Sequence, residues 1–345
     1  MSVYEIRKGL PFLLRFAVPV LSSGQSAVTE FLTSRKDEKK KYRTKVYFCS
    51  GSRKAVLLFH GMGVLGIDDP RMEELALNLC RSGFTVFTPE LEEVKNLKIR
   101  KETVENIRDI TLSLDSFQEK YPFDGGLGFF SVSFGAGLGL IALSEPSIQK
   151  RFSSICVVGG FADFEAVVPH VLEHFETENY GNFILLHNFI HLTVKNSQKL
   201  ESVLWEAAMD NGLNRKNGEA VAPKLQSELD LRDKQIFERI CKEKSYRTAL
   251  GEEIRETAGL LLRDLSPIHY IKDISIPVSI IHGRNDYVIP ETESIRISEQ
   301  MNKCGMQNRL EITSLLSHGD KVSYWKYLSE IPGLAEAFGY FLIRI

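Results

Sequence analysis

The chain has 345 residues, 43% of them apolar and 26% charged, and a formal net charge of -2. That length exceeds what a single core usually organises, so one large domain with an insertion, or two domains, is expected. The charge balance offers no electrostatic footprint for nucleic acid, and five scattered cysteines (Cys49, Cys80, Cys156, Cys241, Cys304) without a C-x-x-C pair fit a reducing, cytoplasmic setting better than a disulfide framework.

In "KGLPFLLRFAVPVL" (8–21) Arg15 interrupts an apolar stretch that is too short to span a bilayer. It reads as an N-terminal helix packed on the domain, with contact to a membrane surface as its alternative role. "SRKDEKKKYR" (34–43) mixes both signs of charge and reads as a solvated linker, so residues 1–45 form a helical and linker segment. The first dependable strand is "KAVLLFH" (54–60), followed by the glycine-rich "GMGVLG". A helix follows, capped by Asp69, with Pro70 at its first position and Met72, Leu75, Ala76 and Leu79 at helical spacing before Gly83. "FTVFTP" (84–89) is a buried strand, and Val104, Ile107, Ile110, Leu114 and Phe117 mark an amphipathic helix. "LGFFSV" (127–132), a glycine- and alanine-rich helix (134–143) and "SICVVGG" (154–160) continue the alternation. Such alternation implies a mostly parallel, doubly wound α/β sheet, here in a first half spanning 46–160. From 161 to 265 the pattern turns mainly helical, which reads as an inserted cap. The alternation resumes over 266–345 with "PVSIIHG" (277–283), a helix near 291–303, "RLEITSLL" (309–316) and a last helix.

"GFFSVSFGAG" (128–137) places two serines at a strand end. A nucleophile there needs small residues two positions before and two after it, because the turn into the helix is very tight. For Ser133 those flanks are Ser131 and Gly135; for Ser131 the earlier flank is Phe129, which would clash. The spacing therefore selects Ser133, and the small residues after it let the helix bring its N-terminal dipole beneath the hydroxyl. A serine nucleophile needs a base and an acid to orient that base. Asp286 follows one late strand and His318 the next, so all three converge at the C-terminal edge of a parallel sheet.

Four segments in this order, "HGMG", "SVSFG", "SPIHYI…IPVSIIHGRNDYVIP" and "SHGD", resemble those of the α/β-hydrolase superfamily, and in particular its esterase-like serine hydrolases with an inserted cap. The resemblance implies an oxyanion hole built from the backbone N–H groups of Met62 and Phe134, with Gly61, Gly63, Ser131 and Gly135 completing the motifs; His60 reads as a structural histidine fixing that loop and Asp320 as a surface acid. It implies hydrolysis of a small-molecule carboxylic ester through an acyl-enzyme, with no cofactor and no metal. Three other readings compete. Gly61, Gly63 and Gly66 fit G-x-G-x-x-G, with Glu90 where a ribose-binding acid of a dinucleotide-dependent oxidoreductase would stand, though Asp68 and Asp69 would face the pyrophosphate. "HVLEH" (170–174) matches a zinc pattern through His170 and His174, and His187 and His191 form a second i, i+4 pair. A non-catalytic binding scaffold on the same fold is the third. The cap is rich in Phe161, Phe164, Phe175, Phe183, Leu185, Leu186, Phe189 and Trp205, and some of these are expected to wall an apolar pocket above Ser133.

Overall fold

The computed structural model describes residues 2–17, 27–177, 179–316 and 324–345. Its centre is an eight-stranded sheet in the order β1-β2-β4-β3-β5-β6-β7-β8. The strands are β1 (Val28–Thr33), β2 (Lys41–Tyr47), β3 (Lys54–Phe59), β4 (Thr85–Pro89), β5 (Gly126–Val132), β6 (Ser154–Val158), β7 (Val278–Gly283) and β8 (Asn308–Thr313). β1 and β2 pair antiparallel with each other, β2 pairs antiparallel with β4, and every other pairing is parallel.

The first two strands correct the expectation of a linker. Residues 41–43 of "SRKDEKKKYR" belong to β2, and only 34–40 form the connection from β1. The charges that suggested solvation sit on an edge hairpin, where strands commonly carry them. Arg43 and Lys45 of β2 instead form an ion network, with Arg43 paired to Asp68 (2.7 Å) and Glu90 (3.2 Å) and Lys45 paired to Asp68 and Glu73. Hydrogen bonds from Arg43, then from Lys45, hold the Asp68 carboxyl well below the ordinary carboxylate range.

The central strands are buried on both faces, as apolar runs without alternation require. Ala55, Leu57 and Phe59 of β3 enter one core, while Val56 and Leu58 enter the other. The first core is covered by α4 (Glu102–Ser113), α5 (Ser133–Leu143) and α13 (Glu291–Lys303), with the short α3 (Glu92–Lys95) and α6 (Pro146–Gln149) beside them. The second is covered by α1 (Val3–Ala17), α2 (Pro70–Arg81) and α14 (Ile331–Leu342). α2 starts where its signals predict: the Asp69 side chain accepts from the Arg71 N–H at 2.8 Å, and Gly83 follows the helix end at φ +96°. α1 packs on α14 through glycines; a Cβ at Gly9 would run into the Ala335 carbonyl, and one at Gly339 into that of Glu5. Phe12 of α1 meets Phe338 of α14 with ring centroids 4.9 Å apart.

Between β6 and β7 lie α7 (Phe164–Glu173), α8 (Tyr180–Thr193), α9 (Gln198–Gly212), α10 (Ala222–Ser227), α11 (Leu231–Lys242) and α12 (Lys244–Asp264). The two chain segments leading in and out are bound together, since the Ile268 N–H donates to the Ala162 carbonyl (2.9 Å). The buried Glu293 of α13 accepts from the N–H groups of Ala162 (3.0 Å) and Asp163 (2.8 Å). Among the described residues no helix is long and apolar enough to cross a membrane.

Candidate active site

β5 ends at Val132 and α5 begins at Ser133, whose φ is +53°. A non-glycine residue in the left-handed region costs conformational energy and is retained where the surroundings over-determine it. Here the surroundings are backbone. A Cβ at Gly135 would run into the His60 carbonyl oxygen, and one at Gly61 would lie 2.7 Å from Ser133 Cβ and 3.4 Å from its Oγ. Ser131 is fully buried, its hydroxyl donating to the Phe59 carbonyl at 3.5 Å. At Gly63 a Cβ would meet nothing within 4 Å, so no close approach requires glycine there. α5 itself lies tight against its neighbours, for a Cβ at Gly139 would sit 2.6 Å from the Phe129 ring and one at Gly137 would strike Phe161.

Met62 and Phe134, the residues directly after Gly61 and Ser133, both line the cavity into which Ser133 opens. His60 braces the loop before them. Its Nε2 accepts from the Leu91 N–H at 3.0 Å, so the ring proton is on Nδ1, which donates to the Gly61 carbonyl at 2.8 Å. Burial, against the pull of that carbonyl, lowers the pKa of this ring.

Asp286 lies beyond the end of β7 in a turn whose preceding residue, Asn285, also has a positive φ (+59°). Asp286 is buried, and its Oδ1 accepts from the N–H groups of Val288 (2.8 Å) and Ile289 (3.0 Å). The Nε2 of His282, a residue not singled out from the sequence, is 3.6 Å from Oδ2. The sequence marks it only as a polar ring at the end of an otherwise apolar strand run, without its partners. Asp286 and Ser133 line one cavity, although 153 positions separate them (286 − 133). His318 and Asp320 fall within 317–323, outside the described residues; Leu316, just before them, lines the same cavity.

That cavity has a volume of about 920 Å³. Its apolar wall includes Phe134, Phe161, Phe164, Val167, Ile184 and Leu185. The aromatic part is continuous, with Phe134 5.6 Å from Phe161 and 5.5 Å from Phe164 between ring centroids. The cap residues singled out from the sequence divide. Phe161, Phe164 and Leu185 face the cavity, whereas Phe175 packs on Phe183 (5.4 Å), which stacks on Phe237 (6.3 Å). Leu186 and Phe189 are buried in the core, and Trp205 directs its ring N–H toward the Asn96 carbonyl (3.4 Å). At the mouth, Arg71 is paired with Asp69, so these two lining charges neutralise each other.

The competing constellations have other partners. Glu90 is held by Arg43 and by Lys95 (2.7 Å), and α2 starts only after Asp68 and Asp69. The ring centroids of His170 and His174 lie 4.2 Å apart at a tilt of 34°, and His187 Nδ1 lies 3.1 Å from the Glu201 carbonyl. Among the described residues, His191 among them, no group of three or more His, Cys, Asp or Glu side chains is placed to hold a metal ion.

No family model matches the chain, and no curated protein sequence matches it. Solved structures do. An acylaminoacyl peptidase of Pyrococcus horikoshii superposes with a TM-score of 0.54 at 15% identity, covering 96% of this chain but 43% of that one. This chain thus spans less than half of the peptidase's length. An esterase of Pyrococcus furiosus matches with a TM-score of 0.51 at 13% identity over 87% of this chain and 88% of that one. Carboxyl esterase 2 of the fungus Tuber melanosporum matches with a TM-score of 0.51 at 14% identity over 94% and 87%. Strand order, the turn at Ser133 and these superpositions agree: the chain has the α/β-hydrolase fold, with helices inserted between β6 and β7.

Proposed function

We propose that the protein is a serine hydrolase acting on carboxylic esters through an acyl-enzyme. The observation that carries this reading is Ser133 at φ +53° on a turn with no room for an added carbon, facing a cavity it shares with Asp286. In the reaction, Ser133 Oγ attacks the ester carbonyl while His318 takes its proton and Asp286 orients His318. The backbone N–H groups of Met62 and Phe134 stabilise the developing oxyanion, a contribution of about 10² to 10³ in rate for each donor. His318 then protonates the departing alcohol, and water releases the acid by the reverse sequence. The apolar wall from Phe161 to Leu185 favours an ester with a substantial apolar acyl or alcohol group.

Turnover of aryl esters by the wild type and by Ser133→Ala tests the chemistry, and the substitution should lower kcat by roughly 10³ to 10⁶. Undiminished activity in that variant would end the Ser133 assignment, and no activity in either would favour a non-catalytic binding protein. A chain-length series tests the wall: kcat/KM should rise from acetate to longer acyl chains, and a flat or falling series removes the apolar preference. An N-acyl-aminoacyl anilide assayed in parallel separates ester from amide cleavage. Activity is expected to persist in EDTA; loss that zinc restores would return attention to His170 and His174. With all five cysteines as thiols, we place the protein in a reducing, cytoplasmic compartment.

A further inference from the structure

His282 sits at the end of β7 with no exposed surface. Its Nδ1 is 2.7 Å from Ser294 Oγ of α13, and its Nε2 is 2.8 Å from the Ile289 carbonyl oxygen. A carbonyl oxygen can only accept, so Nε2 carries the hydrogen; in the neutral ring Nδ1 then accepts from the Ser294 hydroxyl. Ile289 is also one of the two residues whose N–H groups donate to Asp286 Oδ1. One ring therefore links α13 to the turn that grips the carboxylate. The 3.6 Å between Nε2 and Asp286 Oδ2 is too long for a hydrogen bond, but it lets the N–H dipole favour an ionised carboxylate in one orientation. Burying an imidazole carries a desolvation cost that an aliphatic residue would not incur. What the ring adds in return is direction, since both its nitrogens have fixed partners.

We propose that His282 is a positioning residue: acting through Ile289, it holds Asp286 in the orientation that steadies the base. The proposal rests on Asp286 being the acid of the triad. The groups facing this network are Asp286 on its own loop, Ser294 on α13, and His170 on α7, which interacts with the Asp286 charge and lies against the His174 ring. Glu293 of α13 is engaged with Ala162 and Asp163.

The test is aryl-ester kinetics on the full chain for the wild type, Asp286→Asn, His282→Leu, His282→Gln and Ser294→Ala. His282→Leu should lower kcat by about 10- to 100-fold with KM within about twofold, the range typical of losing a supporting hydrogen bond. It should also move the acidic limb of the kcat/KM profile to lower pH, because a carboxylate that has turned away no longer stabilises the protonated base. Glutamine keeps an N–H donor at comparable reach and should restore most of the lost kcat. Ser294→Ala, which releases only Nδ1, should lower kcat by about 3- to 10-fold in the same direction. A cooperatively melting His282→Leu protein with wild-type kcat and pH profile overturns the proposal. If that variant does not fold, Ser294→Ala decides: a lowered kcat with a shifted limb supports the role, and unchanged kinetics overturn it. Full turnover in Asp286→Asn, or none in the wild type, ends the triad assignment and the positioning role together. An inactive Asp286→Asn beside a wild-type-like His282→Leu ends the positioning role alone.

Discussion

The turn at Ser133 and the helices inserted between β6 and β7 are built under opposite steric regimes. At the turn, geometry is set by atoms that are missing: Gly61 and Gly135 are places where one more carbon would strike Ser133 or the His60 carbonyl. In the inserted helices, geometry is set by large side chains, some meeting one another, as Phe175, Phe183 and Phe237 do, and some facing the cavity, as Phe164 and Leu185 do. The position of Ser133 is therefore tightly set, whereas the cavity's shape is adjustable one side chain at a time.

The sharpest way to break this contrast is Gly135→Ala. Misplacing the reacting hydroxyl by even about 1 Å costs on the order of 10² in rate, so kcat should fall by about that factor. Overpacking should cost about 1–3 kcal/mol, read from a denaturant titration; normal kinetics would show that the turn has more room than its contacts imply. In the inserted helices the expectation splits by position. Phe183→Ala should destabilise by about 3–5 kcal/mol and leave acyl-chain preference unchanged. Phe164→Ala should shift the preference toward longer chains, by at most about 1–3 kcal/mol per methylene accommodated. Identical behaviour of the two variants in the chain-length series would erase the distinction between internal and cavity-facing residues.

A smaller effect concerns the loop that braces the turn. Burial lowers the His60 pKa from its ordinary value of 6.5, so the folded protein keeps the ring neutral where the unfolded chain protonates it. Its contribution to stability is thus complete above about pH 6.5 and is lost as pH falls toward the lowered value, at up to about 1.4 kcal/mol per pH unit. Melting temperatures should drop on acidification through this window, and the drop should be shallower in His60→Gln. The smallest effect is expected at Gly63→Ala, where open space surrounds the added methyl group. Activity should stay unchanged, with stability raised by at most about 1 kcal/mol through the unfolded chain.

What was legible in the sequence follows the same division. The Ser133 turn could be read because its rule is local: small residues at fixed offsets, with Phe129 excluding the alternative serine. The strands from β3 to β8 and the start of α2 were likewise encoded in neighbouring residues. The hairpin of β1 and β2 was not, because its charges read as solvated until Asp68, Glu73 and Glu90, distant in sequence, are placed beside them. Nor could the sequence divide the aromatics of the inserted segment into inner and outer sets, since that depends on which helices meet. Asp286 was visible from its place after a strand, but the ring that grips its turn was not, because an isolated histidine in an apolar strand has no partner until α13 is packed against it.

The contact between α1 and α14 has a consequence for the order in which the molecule assembles. Arg344 reaches Glu5 at 2.9 Å across 339 positions, and the interface leaves no room for a side chain at Gly9 or Gly339. A chain emerging residue by residue holds α1 without its partner until α14 has also emerged, so this docking waits for residues 331–342. The entropy of closing so long a loop grows only logarithmically with its length, which keeps the late step thermodynamically accessible. Until it occurs, Phe12 on one helix and Phe338 on the other have lost their mutual cover, and the nascent protein carries an exposed apolar surface that the finished one does not.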